Sequence, residues 1–186
     1  MKLAVQSLAI PDVKLIKGDR IRDSRGYFAE TYVRRDFLAS DIGYDFVQDN
    51  ESCSQISGTI RGLHFQTHPF TQTKLIRVLR GKIVDVAVDL RRSSPSFGRH
   101  VAVELNESDA CQLLVPVGFA HGFCTLEPGT VVLYKVDNLY SSAHDRGVNW
   151  ADPKLAIKWP VSASDAILSD KDRALPSLDE LPVHFE

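Results

Sequence analysis

Ile83-Val84-Asp85-Val86-Ala87-Val88-Asp89-Leu90 is the stretch on which the fold turns. Val84, Val86, Val88 and Leu90 fall on one side of an extended chain, and Asp85, Ala87 and Asp89 on the other. A period of two with β-branched residues is the signature of a β-strand, not a helix. His100 to Leu105 repeats it through Val101, Val103 and Leu105. Further strands are expected at Phe28–Val33, Ile60–Phe65, Lys74–Leu79 and Thr130–Val136, all rich in β-branched, aromatic or alternating residues. Turn signals separate them: Asp23-Ser24-Arg25-Gly26, Arg80-Gly81, Ser93-Ser94-Pro95-Ser96 and Glu127-Pro128-Gly129. Many short strands joined by tight turns describe an antiparallel sandwich or barrel. Helix is expected only near Asp36–Ser40 and somewhere within Ser162–Leu181, where Pro176 and Pro182 limit it. The fold class expected is all-β, an antiparallel jelly-roll barrel with a short helical C-terminal segment.

A chain of 186 residues fits one domain over 1–186. Hydrophobic residues make up 44% and charged residues 25%, enough to build a core without disulfide or metal support. A net charge of -2 gives no broad attraction to nucleic acid or an anionic membrane, although a local cationic pocket is compatible with it. Neither partner is expected. The N-terminal apolar stretch is broken by Gln6 and Ser7 and ends at Pro11, too short and polar for a secretory signal. No run reaches the ~20 apolar residues of a membrane helix. Cys53, Cys111 and Cys124 are odd in number and lack Cys-x-x-Cys spacing, so three buried, reduced thiols are expected. The expected location is the cytoplasm.

A small barrel offers a ligand site at its mouth. His64 shares a strand face with Ile60 and Gly62, whereas Arg61 and Leu63 face the other way. Lys74 lies on a face with Ile76, Val78 and Arg80, and Tyr134 sits in an apolar strand. Taken singly, each has an ordinary reading: a hydrogen-bonded core histidine, a lysine reaching water, a packed tyrosine. Pro116-Val117-Gly118-Phe119-Ala120-His121 is similar to the second motif of cupin barrels, in which the histidine often binds metal. The first cupin motif, His-x-His followed by Glu, is not matched here. Gln66 stands two residues after His64, and no Glu follows at the expected distance.

Several motifs, in order, carry a wider resemblance. They are Asp23-Ser24-Arg25-Gly26-Tyr27-Phe28-Ala29-Glu30, Phe46-Val47-Gln48-Asp49-Asn50 and Arg61-Gly62-Leu63-His64-Phe65-Gln66. Gln72-Thr73-Lys74-Leu75, Asp85 to Arg91, Ser94-Pro95-Ser96-Phe97-Gly98 and Pro116 to Phe123 follow. Trp159-Pro160 and Leu168-Ser169-Asp170-Lys171-Asp172 complete the set. The chain resembles the dTDP-4-dehydrorhamnose 3,5-epimerase family, a metal-free branch of the cupin-like barrels.

The resemblance implies proton transfer at carbons 3 and 5 of a dTDP-linked 4-keto-6-deoxy sugar, with no metal and no cofactor. It implies His64 as general base held by Asp172, Tyr134 as the acid on the opposite face, and Lys74 at the enolate oxygen. Arg25 and Arg61 are implied at the diphosphate, Phe28 and Tyr140 stacked on thymine, Glu30 and Gln48 at its edge. Asn50 and His121 are implied at the sugar. It also implies a homodimer in which the N-terminal strand region crosses over, so that Arg25, Phe28 and Glu30 serve the partner's site. One departure is Tyr140-Ser141-Ser142, where the family often has Tyr-Ser-Pro.

The chemistry suits these residues. Inverting a carbon beside a ketone passes through an enolate, which requires a base, an acid facing it and positive potential at the oxygen. Because Arg61 and His64 fall on opposite faces of an ideal strand, a bulge or a strand end near Gly62 is expected to re-aim Arg61. Three other readings remain at this stage: a single 3-epimerase of a related keto-sugar nucleotide, a metal-dependent cupin using His64, His68 and His121, and a sugar-binding barrel without catalysis.

Overall fold

The computed structural model describes residues 3–186. In chain order the strands are β1 (Ala4–Ser7), β2 (Lys14–Lys17), β3 (Ile21–Asp23), β4 (Gly26–Phe28), β5 (Gln48–Ser54), β6 (Ile60–Gln66), β7 (Lys74–Arg80), β8 (Lys82–Asp89), β9 (His100–Asn106), β10 (Cys111–Val115), β11 (Phe119–Thr125), β12 (Thr130–Val136) and β13 (Asp145–Gly147). The helices are α1 (Arg34–Leu38) and α2 (Asp170–Arg173). A six-stranded sheet runs β1-β2-β10-β7-β12-β5 and a five-stranded sheet β13-β6-β11-β8-β9, while among the described residues β3 and β4 pair only with each other. Every ladder is antiparallel. The two large sheets face one another as the walls of a jelly-roll barrel.

Both faces of the five-stranded sheet are buried. Ile83 and Ala87 join Ile76, Val78, Val101, Leu113, Phe123 and Val132 in the core between the sheets. Val86, Val88 and Leu90 pack on the other face, under Leu155, Leu178 and Leu181 of the C-terminal segment. The side of β8 that carries Asp85 and Asp89 is therefore the interior side, and both carboxylates are fully buried. Outside the six-stranded sheet, Ile16, Leu75 and Leu114 are covered by Phe37 of α1 and by Ile42. Among the described residues no helix is long and apolar enough to cross a membrane.

Two sequence expectations need correcting. The chain after Phe28 does not continue as a strand to Val33. It leaves the β3–β4 hairpin as irregular backbone, held where Gln112 Nε2 donates to the Thr31 carbonyl at 2.7 Å. The hydrophobic content of Phe28–Val33 serves packing instead, with Tyr32 against Phe37 and Phe46. Of the three free thiols, only Cys124 is buried; Cys111 is partly covered and Cys53 exposed, since it sits on the outward row of edge strand β5.

Helix α2 is one turn long and is placed by its cap. Ser169 stands at the N-cap, and its hydroxyl accepts from the Asp172 amide at 3.1 Å. Such a cap satisfies one otherwise orphaned amide and contributes about 1 kcal/mol. It also fixes Asp172 at the third helical position, with its carboxylate turned toward β6.

Candidate active site

His64 lies on β6, and directly across the ladder on β11 lies His121. Between His121 and Phe123 the register slips: His64 pairs with His121 but Arg61 with Phe123, so β6 spends one extra residue. Of the two irregularities expected here, the structure has the bulge, and it falls at Gly62, whose φ of +122° suits glycine. A Cβ there would lie 2.6 Å from the Gly122 Cα and 2.7 Å from the His121 carbonyl oxygen, so only glycine fits. The bulge turns Arg61 onto the same side as His64. Both line one cavity of about 450 Å³ with Lys74, His121, Tyr134 and Asp172.

The cavity sits between the sheets, and its walls have different chemistry. From the five-stranded sheet comes His64, with Nε2 2.5 Å from Asp172 Oδ1. Burial works against ionisation of Asp172, but the His64 hydrogen bond, the imidazole charge and the Ser169 hydroxyl outweigh it. The carboxyl is held below its usual range. An ionised Asp172 accepts the Nε2 proton and leaves Nδ1 as the basic nitrogen of His64. A second pair stands beside it: His121 Nε2 lies 2.5 Å from Asp85 Oδ1 in the interior.

From the six-stranded sheet come Tyr134 on β12 and Lys74 on the adjacent β7. Burial pushes the Tyr134 phenol above 10, against the opposing charge of Arg61, so its proton is retained at neutral pH. Lys74 is 9% exposed and its ammonium donates to the His64 carbonyl at 3.3 Å. Desolvation pulls its pKa down to about 8, partly countered by the carboxylates of Asp145 and Asp85. Base and acid candidates thus face each other from opposite sheets, with a buried cation beside the acid.

The inward row of β5 is polar: Gln48, Asn50, Ser52 and Ser54. Gln48 donates to Asn50 Oδ1 at 2.7 Å and accepts from the Tyr140 amide at 3.2 Å, which joins these three predicted residues into one contact group. Asn50 is the register partner of Tyr134. Arg61 donates to the Ser54 hydroxyl and the Cys53 carbonyl at 3.0 and 3.1 Å. Of the residues expected at the substrate, Gln48, Asn50, Tyr140, Arg25, Phe28 and Glu30 are not among those lining this cavity. Arg25 pairs with Asp23 at the tip of the β3–β4 hairpin, Phe28 is 65% exposed, and Glu30 lines a separate small cavity with Arg20 and Arg77.

Four residues here were not singled out from sequence. Lys171 lines the cavity one residue before Asp172. Asp145 bonds both Lys171 and the Tyr140 hydroxyl. Asp85 holds His121, and the Ser52 hydroxyl is buried in the cavity wall without a hydrogen-bond partner. No local pattern marks Asp85, because its Asp-x-Ala-x-Asp row reads as a solvent face.

The triad His64, His68 and His121 is not assembled, and among the described residues no three His, Cys, Asp or Glu side chains come together as metal ligands. The Gln66 amide is spent on backbone: it donates to the Phe70 and Leu139 carbonyls and accepts from the Ser141 amide. It clamps the loop carrying Tyr140, including the Ser141 of the departing Tyr-Ser-Ser sequence.

Comparison with known proteins agrees with this geometry along nearly the whole chain. The model of the dTDP-4-dehydrorhamnose 3,5-epimerase family matches residues 7–180. The dTDP-4-dehydrorhamnose 3,5-epimerase of Sinorhizobium fredii is 50% identical over 181 residues, covering 97% of this chain and 92% of the relative. A Bacillus anthracis enzyme of the same name, solved with TDP and PPi bound, superposes with a TM-score of 0.91 at 51% identity, covering 94% of this chain and 99% of that one. A Legionella pneumophila dTDP-6-deoxy-D-glucose-3,5-epimerase, solved in complex with dTDP-4-keto-L-rhamnose, gives a TM-score of 0.92 at 38% identity over 97% and 95% of the two chains. With matching motifs, barrel and near-complete coverage, the chain belongs to the dTDP-4-dehydrorhamnose 3,5-epimerase family.

Proposed function

We propose that this chain inverts carbons 3 and 5 of dTDP-4-dehydro-6-deoxy-D-glucose through enolate intermediates, giving dTDP-4-dehydro-L-rhamnose. The observation that carries the reading is the placement of His64–Asp172 and Tyr134 on facing sheets across one cavity. Inversion needs a proton to leave one face of the carbon and another to arrive on the opposite face. His64 takes the proton, and Asp172 holds its tautomer and stabilises the imidazolium that forms. Lys74, buried and charged, stabilises the negative charge that develops on the carbonyl oxygen, where low dielectric makes that charge count for most. Tyr134 returns a proton from the other side, its raised pKa keeping that proton available. Arg61 supplies a cation for the diphosphate. Gln48, Asn50 and Tyr140 hold the nucleotide and sugar from the β5 side. Incubated in heavy water, the recovered sugar nucleotide is expected to gain two non-exchanging deuterons; an unchanged mass refutes the reading.

Tyr134→Phe is expected to slow inversion about 100-fold or more while leaving folding intact, since the ring still packs and only the proton donor is lost. The split between deuterium exchange and net inversion reads the step. Exchange through His64 persists while inversion falls. Equal, normal rates of both would put the acid elsewhere.

The working form on this reading is a cytoplasmic homodimer with exchanged arms. Among the described residues the β3–β4 hairpin pairs with no other strand, and it exposes Ile21 (69%), Tyr27 (52%) and Phe28 (65%). An unpartnered ribbon with exposed apolar side chains among charged ones is suited to cover by a second copy. Arg25, Phe28 and Glu30 then complete the partner's nucleotide site. Coexpressing an Arg25→Ala/Phe28→Ala chain with a His64→Ala chain tests this. Each mixed dimer holds one intact site, so about a quarter of wild-type activity is expected from two inactive parents. No recovery in verified mixed dimers means that the arm serves its own subunit or none.

A further inference from the structure

The dyad carboxylate belongs to a helix of only four residues, too short to hold its own orientation. Ser169 fixes its start. A second anchor lies on the side chain next to Asp172: Lys171 forms an ion pair with Asp145 on β13. The same Asp145 oxygen accepts the Tyr140 hydroxyl proton at 3.0 Å. Asp145 is itself well covered, with a side chain 12% exposed, and it pairs in register with Gln66, whose amide clamps the Tyr140 loop. One carboxylate therefore ties the Tyr140 loop to the helix that carries Asp172.

We infer that Asp145 is a positioning residue, which through Lys171 holds Asp172 on His64 and through Tyr140 makes that alignment respond to the nucleotide. This rests on the epimerase reading given above. Asp145 touches neither His64 nor Asp172 through any hydrogen bond in the structure; its action passes through Lys171 and the turn of α2. Occupancy of the Tyr140 side by a base orders the Tyr140 hydroxyl, the Asp145 carboxylate and then Lys171. Helix α2 is thereby locked when substrate is in place. Without Asp145, Lys171 is released next to the dyad, with Lys74 and Arg61 lining the same cavity.

Asp145→Asn keeps the size of the side chain and can still accept from Tyr140, but it loses the ion pair. Small misplacements of reacting groups cost up to about 100-fold. The expected result is a fall in kcat of about 10- to 100-fold with KM changed less than about threefold and the melting temperature held within a few degrees. Lys171→Met should reproduce the fall, and the double variant should be no worse than either single one.

A spectroscopic readout needs no turnover. The two short His–Asp bonds, at 2.5 Å each, should give two far-downfield imidazole N–H proton signals, identified with His64→Gln and His121→Gln. In Asp145→Asn the His64–Asp172 signal is expected to move upfield or broaden while the His121–Asp85 signal stays. Unchanged kcat with an unmoved His64 signal overturns the inference. Loss of both signals together with a lower melting temperature also overturns it, in favour of a purely structural role. If the wild-type protein takes up no deuterium into the sugar, the epimerase reading fails, and the downfield signals alone decide whether Asp145 positions the dyad.

Discussion

His64→Asn is expected to abolish deuterium entry at both carbons, lowering turnover by about 1,000-fold or more. A positioned general base contributes about 100- to 10,000-fold, and the loss here includes the imidazolium that Asp172 stabilises. His64 makes one side-chain hydrogen bond, to Asp172, and its side chain is 29% exposed, so the fold loses little packing. The unpaired Asp172 carboxylate costs about 1–3 kcal/mol. Asp172 is held below its ordinary pKa partly by His64, so that part of its contribution to stability is present above the unfolded value and lost as pH falls through the folded one. The variant should therefore lose part of the wild type's stability at neutral pH and show less of its acid sensitivity. A His64→Asn protein that still exchanged carbon-bound protons at near-normal speed would remove His64 as the base. His121, held by its own carboxylate in the same cavity, would then be the next candidate.

Lys74→Met should lose activity and gain stability together. The Lys74 pKa in the folded chain is about 8 against an ordinary 10.5, chiefly through desolvation. Below pH 8 the side chain is charged in both states, and burying that charge penalises the folded one. Between about 8 and 10.5 the folded protein has released the proton while the unfolded chain keeps it, so the penalty is relieved as pH rises. Methionine fills the space without a charge, so Lys74→Met is expected to be more stable by about 1–3 kcal/mol near pH 7. The advantage shrinks across the 8–10.5 window. Turnover should fall about 100- to 1,000-fold with the loss of charge stabilisation at the enolate oxygen. In the wild-type protein kcat/KM should decline on the alkaline side with a midpoint near pH 8 as the ammonium deprotonates. Denaturant melts at pH 7 and 10 check the first half, and a pH–rate profile the second. A destabilised variant would contradict the buried-charge penalty, and a flat profile to pH 9.5 would place the Lys74 charge outside the chemistry. The expected trade is the familiar one of a site that sacrifices stability to function.

Much of this was legible in the sequence because the fold is built on period-two strands. Strands β6, β7, β8, β9 and β12 appear where alternation or β-branched runs place them. An irregularity at Gly62 followed from chemistry: Arg61 and His64 could share a cavity only if the strand slipped or ended there, and it slips. Asp172 was identifiable only by resemblance, because 108 residues separate it from His64 and no local pattern links them. Asp85 was hidden for a related reason. An Asp-x-Ala-x-Asp row reads as a solvent face until the C-terminal segment is seen to bury the opposite, apolar side. The contact between Asp145 and Lys171 is a tertiary one, made by the turn of α2 toward β13. The expected strand through Phe28–Val33 failed because aromatic content there packs on α1 and Phe46 and forms no ladder.

On the proposed reading one cavity, walled by His64–Asp172 on one sheet and Tyr134 on the other, inverts two carbons of a keto-sugar nucleotide. Proton NMR of dTDP-4-dehydro-6-deoxy-D-glucose in heavy water with the purified protein tests it most directly. Deuterium entering at both carbon 3 and carbon 5 is the predicted result. Entry at carbon 3 alone would contradict the double inversion and make the chain a single epimerase; no entry at either carbon would contradict the chemistry altogether.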